Sequence, residues 1–115
     1  MKFYLTADME FACTDTARDT DGNFEAFLDA VMEALADLED VDDGISGADL
    51  TATITRRRAS VDMSIDADSL NDAVRLYLAN TRTVLHAAGC GTPNWPTYKP
   101  TSPTPAVSEM NPAGC

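Results

Sequence analysis

The stretch Asp19-Thr20-Asp21-Gly22-Asn23-Phe24-Glu25 carries the spaced aspartates and the glycine of a calcium loop. Such a loop needs oxygen ligands at its positions 1, 3, 5 and 12, with glycine at 6. Placing Gly22 sixth puts Asp21 fifth and Asp19 third, but Ala17 first and Leu28 twelfth. Leu28 belongs to an apolar helix face, so the bidentate acid that closes the site is missing. The stretch therefore reads as a helix start. Asp21 or a neighbour caps the helix, and Glu25 favours its positive end.

Two further groups of carboxylates invite chemistry. Glu25, Asp29, Glu33 and Asp37 follow one another at i, i+4, and Asp40 extends the line. Each like-charged i, i+4 pair destabilises a helix by about 0.2–0.5 kcal/mol. No Lys or Arg lies between Arg18 and Arg56 to offset them. A partner with a basic groove would benefit from such a face, and so would a nucleic-acid-binding protein whose groove it could fill. The plainer reading is a solvated face. The second group, Asp8, Glu10, Asp62 and Asp66, falls on the polar side of two strands. Were those strands neighbours, the acids would lie close enough to hold Mg²⁺; the plainer reading is a wetted sheet face.

The cations are fewer. Arg56-Arg57-Arg58 is short for a nucleic-acid patch and has no aromatic beside it. It reads as a solvated turn that discourages edge aggregation, or as a mate for the acidic ridge of another copy. His86 has no Cys or His at ligand spacing, and no phosphate loop, zinc spacing or nucleophile elbow is present. The residues thus propose no catalytic group, no resident metal and no cofactor.

The elements that position these side chains are legible from periodicity. Phe3, Leu5, Ala7, Met9 and Phe11 alternate with Tyr4, Thr6, Asp8 and Glu10, which predicts a half-buried strand over residues 2–11. From residue 23 the period becomes 3.6. Phe24, Phe27, Leu28, Val31, Leu35 and Leu38 fall within about 50° of one line, with the acids opposite. The helix ends near Asp43-Gly44. Leu50, Ala52 and Ile54 alternate with threonines, and Ala59, Val61, Met63 and Ile65 with Ser60, Asp62, Ser64 and Asp66. With the arginines as the link, the pair predicts an antiparallel hairpin. A second helix opens at Asp68 or Ser69, carries Leu70, Val74, Tyr77, Thr81, Val84, Leu85 and Ala88 on its apolar stripe, and is capped by Gly89.

The order β-α-β-β-α predicts an α+β two-layer sandwich: a three-stranded sheet with two helices on one face, the ferredoxin-like plan without its last strand. Residues 1–90 form the domain. Residues 91–115 hold all six prolines and read as a largely irregular tail, its first part pinned by Trp95 and Tyr98. The missing strand leaves the first strand at an open edge, to be covered by the tail or by a second copy.

Charge bounds the partners. Residues 1–46 hold 13 acids against 2 bases, and residues 47–115 hold 6 of each. General electrostatic attraction to nucleic acid is thereby excluded, since it needs clustered Lys and Arg. Met1–Glu10 lacks the apolar stretch of a signal peptide, Cys115 does not fit a prenylation box, and no apolar run suits a membrane. Three widely spaced cysteines, Cys13, Cys90 and Cys115, suit a reduced cytoplasmic protein.

The segment Ala67–Pro96, with Asp68–Val74 reading DSLNDAV, Leu85–Gly89 reading LHAAG and Gly91–Pro96 reading GTPNWP, resembles short uncharacterised proteins of actinobacteria and their phages. The resemblance covers about a quarter of the chain. It implies a high-GC bacterial or phage setting and carries no activity and no site residue. The expectation is a small non-enzymatic domain that binds another protein and pairs with itself through its first strand. Its alternatives are an acidic mimic that inhibits a nucleic-acid-binding protein, and a metal-dependent nucleotide or phosphate enzyme using the sheet carboxylates.

Overall fold

The computed structural model describes residues 1–90, 98–101 and 106–109. Strand β1 (Lys2–Cys13) leads to helix α1 (Asp21–Val41), strand β2 (Ile45–Thr53), strand β3 (Arg58–Asp66) and helix α2 (Leu70–Leu85). Two short strands follow, β4 (Tyr98–Pro100) and β5 (Ser108–Glu109). The sheet order is β2-β3-β1-β4, with β5 also on β1, and every pairing is antiparallel.

The two-layer α+β arrangement matches the expectation. The five apolar residues of β1 are buried, and they join the inward residues of β3 and both helices in one core. Phe24, Phe27, Leu28, Val31 and Leu35 supply the α1 side, and Ala73, Tyr77, Thr81, Val84 and Leu85 the α2 side. Both helices begin at hydroxyl caps. Thr20 Oγ1 accepts the Asn23 N–H at 3.1 Å, and Ser69 Oγ accepts the Asp72 N–H at 3.2 Å. Each cap satisfies a backbone donor that a helix start leaves orphaned.

The sheet departs from the expected three strands by having five. β4 pairs its three residues with Phe11–Cys13, and β5 pairs its two with Leu5 and Thr6. The segment read as an irregular tail thus covers parts of the β1 edge. Pro100 lacks an N–H, so it suits an outermost strand that needs no further neighbour. Of the two residues expected to pin the tail, Tyr98 is fully buried, and Trp95 lies outside the described residues.

β2 begins five residues earlier than its alternation predicts. Between Ser46↔Ser64 and Asp49↔Asp62 the register shifts, so Gly47 and Ala48 face one residue of β3. Gly47 has φ +62°, the left-handed region that only glycine enters freely. This is a β-bulge, and it hides the period of two. The extra amide does not go unpaired: the Ala48 N–H donates to the Glu39 carboxylate of α1.

α2 differs at both ends. Leu70 is 42% exposed, because it opens the helix before the stripe reaches the sheet, and Ala73 is buried instead. In place of a glycine cap, the chain continues as a π-helical turn from His86 to Cys90. In the middle, the Tyr77 hydroxyl donates to the Val61 carbonyl, and Thr81 Oγ1, one turn on, is buried with no hydrogen-bond partner among the described residues. A buried unsatisfied hydroxyl costs about 1–3 kcal/mol. Thr81→Val, which keeps the shape and removes the orphan, is expected to raise stability by about 1 kcal/mol in urea unfolding. A loss of stability would show that the hydroxyl is satisfied in solution.

Candidate functional site

The acidic residues of α1 stand where the periodicity puts them. Glu25, Asp29, Glu33, Asp37 and Asp40 are all exposed, on the face opposite the core. None of them forms an ion pair or a hydrogen bond among the described residues. At 1.5 Å per residue the line from Glu25 to Asp40 is about 22 Å long. Met32, 39% exposed, lies one turn from Asp29, where the acidic line borders the core stripe. Glu39 differs from its neighbours, since its carboxylate is turned to the bulge of β2.

Asp8, Glu10, Asp62 and Asp66 each take a rung of their own between β1 and β3, while Asp49 of β2 stands opposite Asp62. Lys2 faces Asp66, Thr6 faces Asp62, Asp8 faces Ser60 and Glu10 faces Arg58. Thr6 Oγ1 donates to Asp62, Ser60 Oγ donates to Asp8, and the N-terminal ammonium lies 3.0 Å from Asp66. Each of these three carboxylates therefore has a local donor of its own. Among the described residues no three His, Cys, Asp or Glu side chains converge as a metal ion would require.

The most heavily bonded polar group is one the sequence reading left in solvent. Arg57 occupies the left-handed region at φ 53°, between a 3₁₀ turn (Ile54–Arg56) and β3. Its side chain is only 15% exposed. Nε donates to Asp19 Oδ1 at 2.7 Å, Nη1 donates to Asp21 Oδ1 at 2.7 Å, and Nη1 also donates to the Ile54 carbonyl. The guanidinium carbon sits 5.4 Å from the centroid of the Phe24 ring, within cation–π range. Tyr98 brings in the tail: its hydroxyl donates to Asp19 Oδ1 at 2.9 Å, and its ring meets Phe24 edge-on at 5.0 Å.

Arg57 is thus not a solvated turn residue. The aspartates of the calcium-like stretch are its counter-ions. Hydrogen bonding from Arg57 holds the Asp19 carboxyl below its ordinary value. Burial raises the Tyr98 phenol above its ordinary value, and the hydrogen bond to Asp19 adds to the rise. Two facts in the sequence pointed this way: an arginine triplet and an aspartate pair, in a chain with only 8 Lys and Arg. Nothing in the spacing says that residues 38 apart will meet.

Two concavities open on the surface of the described residues. An open groove of about 800 Å³ runs beside α2, bordered by Asp66, Asp72, Arg75, Leu76 and Arg82. A smaller cleft of about 340 Å³ lies on the polar face of the sheet near the 3₁₀ turn. No helix among the described residues is long and apolar enough to cross a membrane. No family model, no curated protein and no solved structure matches the chain.

Proposed function

We propose that the protein is a non-enzymatic accessory domain of the cytoplasm that binds a basic protein surface through α1. The observation that carries this reading is the line of five exposed carboxylates without a cation among the described residues. Fixing like charges in a row costs stability and returns nothing within the fold. A partner whose Lys and Arg face the line would convert the repulsion into attraction and speed the encounter. Met32 offers the apolar contact that charge alone does not give.

The runner-up is inhibition of a nucleic-acid-binding protein by mimicry. Successive acids on α1 advance about 6 Å along the axis, whereas one nucleic-acid strand places a phosphate about every 3.4 Å. The lower density favours a protein partner of ordinary surface charge over a groove built for phosphates. The metal-dependent enzyme ranks third, because the sheet acids stand apart and three of the four have local donors. We further read the fold as ferredoxin-like. The order β2-β3-β1-β4 supports it, with the short β4 in the place of the last strand. Self-pairing through β1, in this reading, requires β4 and β5 to lift from that edge.

The test replaces Glu25 and Glu33 by Gln and Asp29 and Asp37 by Asn together. Removing three like-charged i, i+4 pairs is expected to stabilise the fold by about 1 kcal/mol. The same variant is expected to lose at least about tenfold in affinity for a partner recovered from the native host. Unchanged partner binding by the folded variant would refute the α1 reading. Displacement of the partner by DNA or RNA would favour the mimic.

A further inference from the structure

The three arginines of the hairpin tip do not share a side of the sheet. Arg57 turns into the helix layer, where Asp19 and Asp21 hold it. The left-handed turn that this requires leaves Arg56 and Arg58 on the outer face. Both are exposed, and neither has a hydrogen bond or an ion pair among the described residues. They border the cleft of about 340 Å³, whose other polar walls are Thr51 and Thr53 of β2, Ser60 of β3 and Asp8 of β1.

The rungs give this cleft two ends. Thr53 lies opposite Arg58, and Thr51 lies opposite Ser60, which in turn faces Asp8. One end therefore offers two guanidinium groups and the Thr53 hydroxyl as donors; the Glu10 carboxylate, opposite Arg58 on β1, stands beside this end but does not line the cleft. Guanidinium groups match phosphate oxygens in geometry and in charge. The other end is an acceptor: Asp8 takes one hydrogen bond from Ser60 and has a second oxygen to offer. A bare phosphate would gain at the first end and be repelled at the second. The Arg58 and Ser60 rungs are two residues apart, about 6–7 Å, so a ligand with an anionic head and a hydroxyl donor a few carbons away would gain at both. The volume of about 340 Å³ stands at the low end for small-molecule sites, which suits a triose or pentose.

We infer that this outer-face cleft binds a small hydroxyl-bearing phosphate monoester of the sugar-phosphate class, its phosphate on Arg56 and Arg58 and a hydroxyl donated to Asp8. The site is independent of α1, since it lies on the opposite face of the molecule from the helices.

The experiment titrates the full chain with ribose 5-phosphate, inorganic phosphate, sulfate and ribose, following backbone amide shifts by NMR. Ribose 5-phosphate is expected to move the amides of Asp8, Thr53 and Arg58 and to bind at least about fivefold tighter than phosphate or sulfate, with ribose weaker still. Arg56→Ala and Arg58→Ala, both exposed and expected to fold, should each weaken it about tenfold. Asp8→Asn should narrow the gap between ribose 5-phosphate and inorganic phosphate to about twofold. The inference is overturned if no shifts appear at 10-millimolar-order ligand, if the arginine variants bind as the parent does, or if phosphate binds as tightly as the ester. Loss of the amide pattern in a variant would be checked by Thr53→Val, which removes one donor from the same end and is expected to weaken binding about threefold.

Discussion

Arg57→Ala is expected to lower stability by about 3 kcal/mol, read as a shift in the urea midpoint at unchanged slope. The guanidinium is mostly buried and makes two hydrogen bonds to carboxylates, one of them to an aspartate that also receives Tyr98. Hydrogen bonds to charged groups are each worth about 1.5–3 kcal/mol, and truncation leaves Asp19 with one donor fewer in a half-buried place. Alanine also keeps the backbone cost of φ 53°. Arg57→Gly should therefore fall about 1 kcal/mol less than Arg57→Ala, which separates side chain from backbone. Lysine should rescue little, because a point charge cannot fork between Asp19 and Asp21. The pH dependence has a definite sign. The folded Asp19 carboxyl lies below its ordinary 3.8, so its share of stability is present above that value and is lost as pH falls through the folded value. The gap between parent and variant should narrow in strong acid. A loss under about 1 kcal/mol at neutral pH would show that the node is loose in solution.

Tyr98→Ala is expected to cost about 4 kcal/mol. The residue is fully buried in the described structure, against Phe24 at 5.0 Å and Phe27 at 5.4 Å. Phe11 completes the group through Phe24 and Phe27. Removing one ring leaves a cavity that the other three, fixed on β1 and α1, do not collapse to fill. Tyr98→Phe retains the ring and loses the bond to Asp19, so about 1–2 kcal/mol is expected there. The alanine variant should also release β4 from Phe11–Cys13. Light scattering is expected to show concentration-dependent dimers for it at lower concentrations than for the parent, as the bared β1 edge pairs with another copy. A variant that stays as stable as Tyr98→Phe would mean that the tail contributes one hydrogen bond and no packing. Base should act on the same contact. The Tyr98 and Tyr77 phenols are both raised by burial above 10.0, so their stabilisation is complete below that pH and declines as pH rises past it.

Four elements were legible in the sequence because their side chains repeat with the backbone's own period. β1, β3, α1 and α2 each set apolar residues at intervals of two or of three to four, and burial followed those intervals. What escaped did so for local reasons. Gly47 and Ala48 add one residue to β2 and reverse its alternation for everything before them. β4 and β5 are three and two residues long, too short for any period, and lie among prolines that argue against strands. Leu70 was misassigned because the spacing of a stripe does not tell where the helix first meets the sheet. The candidate sites divide in the same way. The acidic face of α1 is a consequence of period and was visible. The grip of Asp19 and Asp21 on Arg57 depends on tertiary proximity alone. So does the separation of Asp8, Glu10, Asp62 and Asp66, which follows from the register of β1 on β3.

The bulge in β2 bears on how the protein behaves in a crowded solution. β1 has the tail along parts of its edge, and β2 is the outermost strand on the other side, with no strand beyond it among the described residues. A regular nine-residue strand in that position would be a template on which further chains could stack indefinitely. The extra residue interrupts the strand near its start, twists it, and ties one of its amides to α1 through Glu39. An incoming strand would find its hydrogen bonds out of step after a few residues. The feature that concealed β2 from its own periodicity thus works against edge-to-edge stacking of concentrated copies.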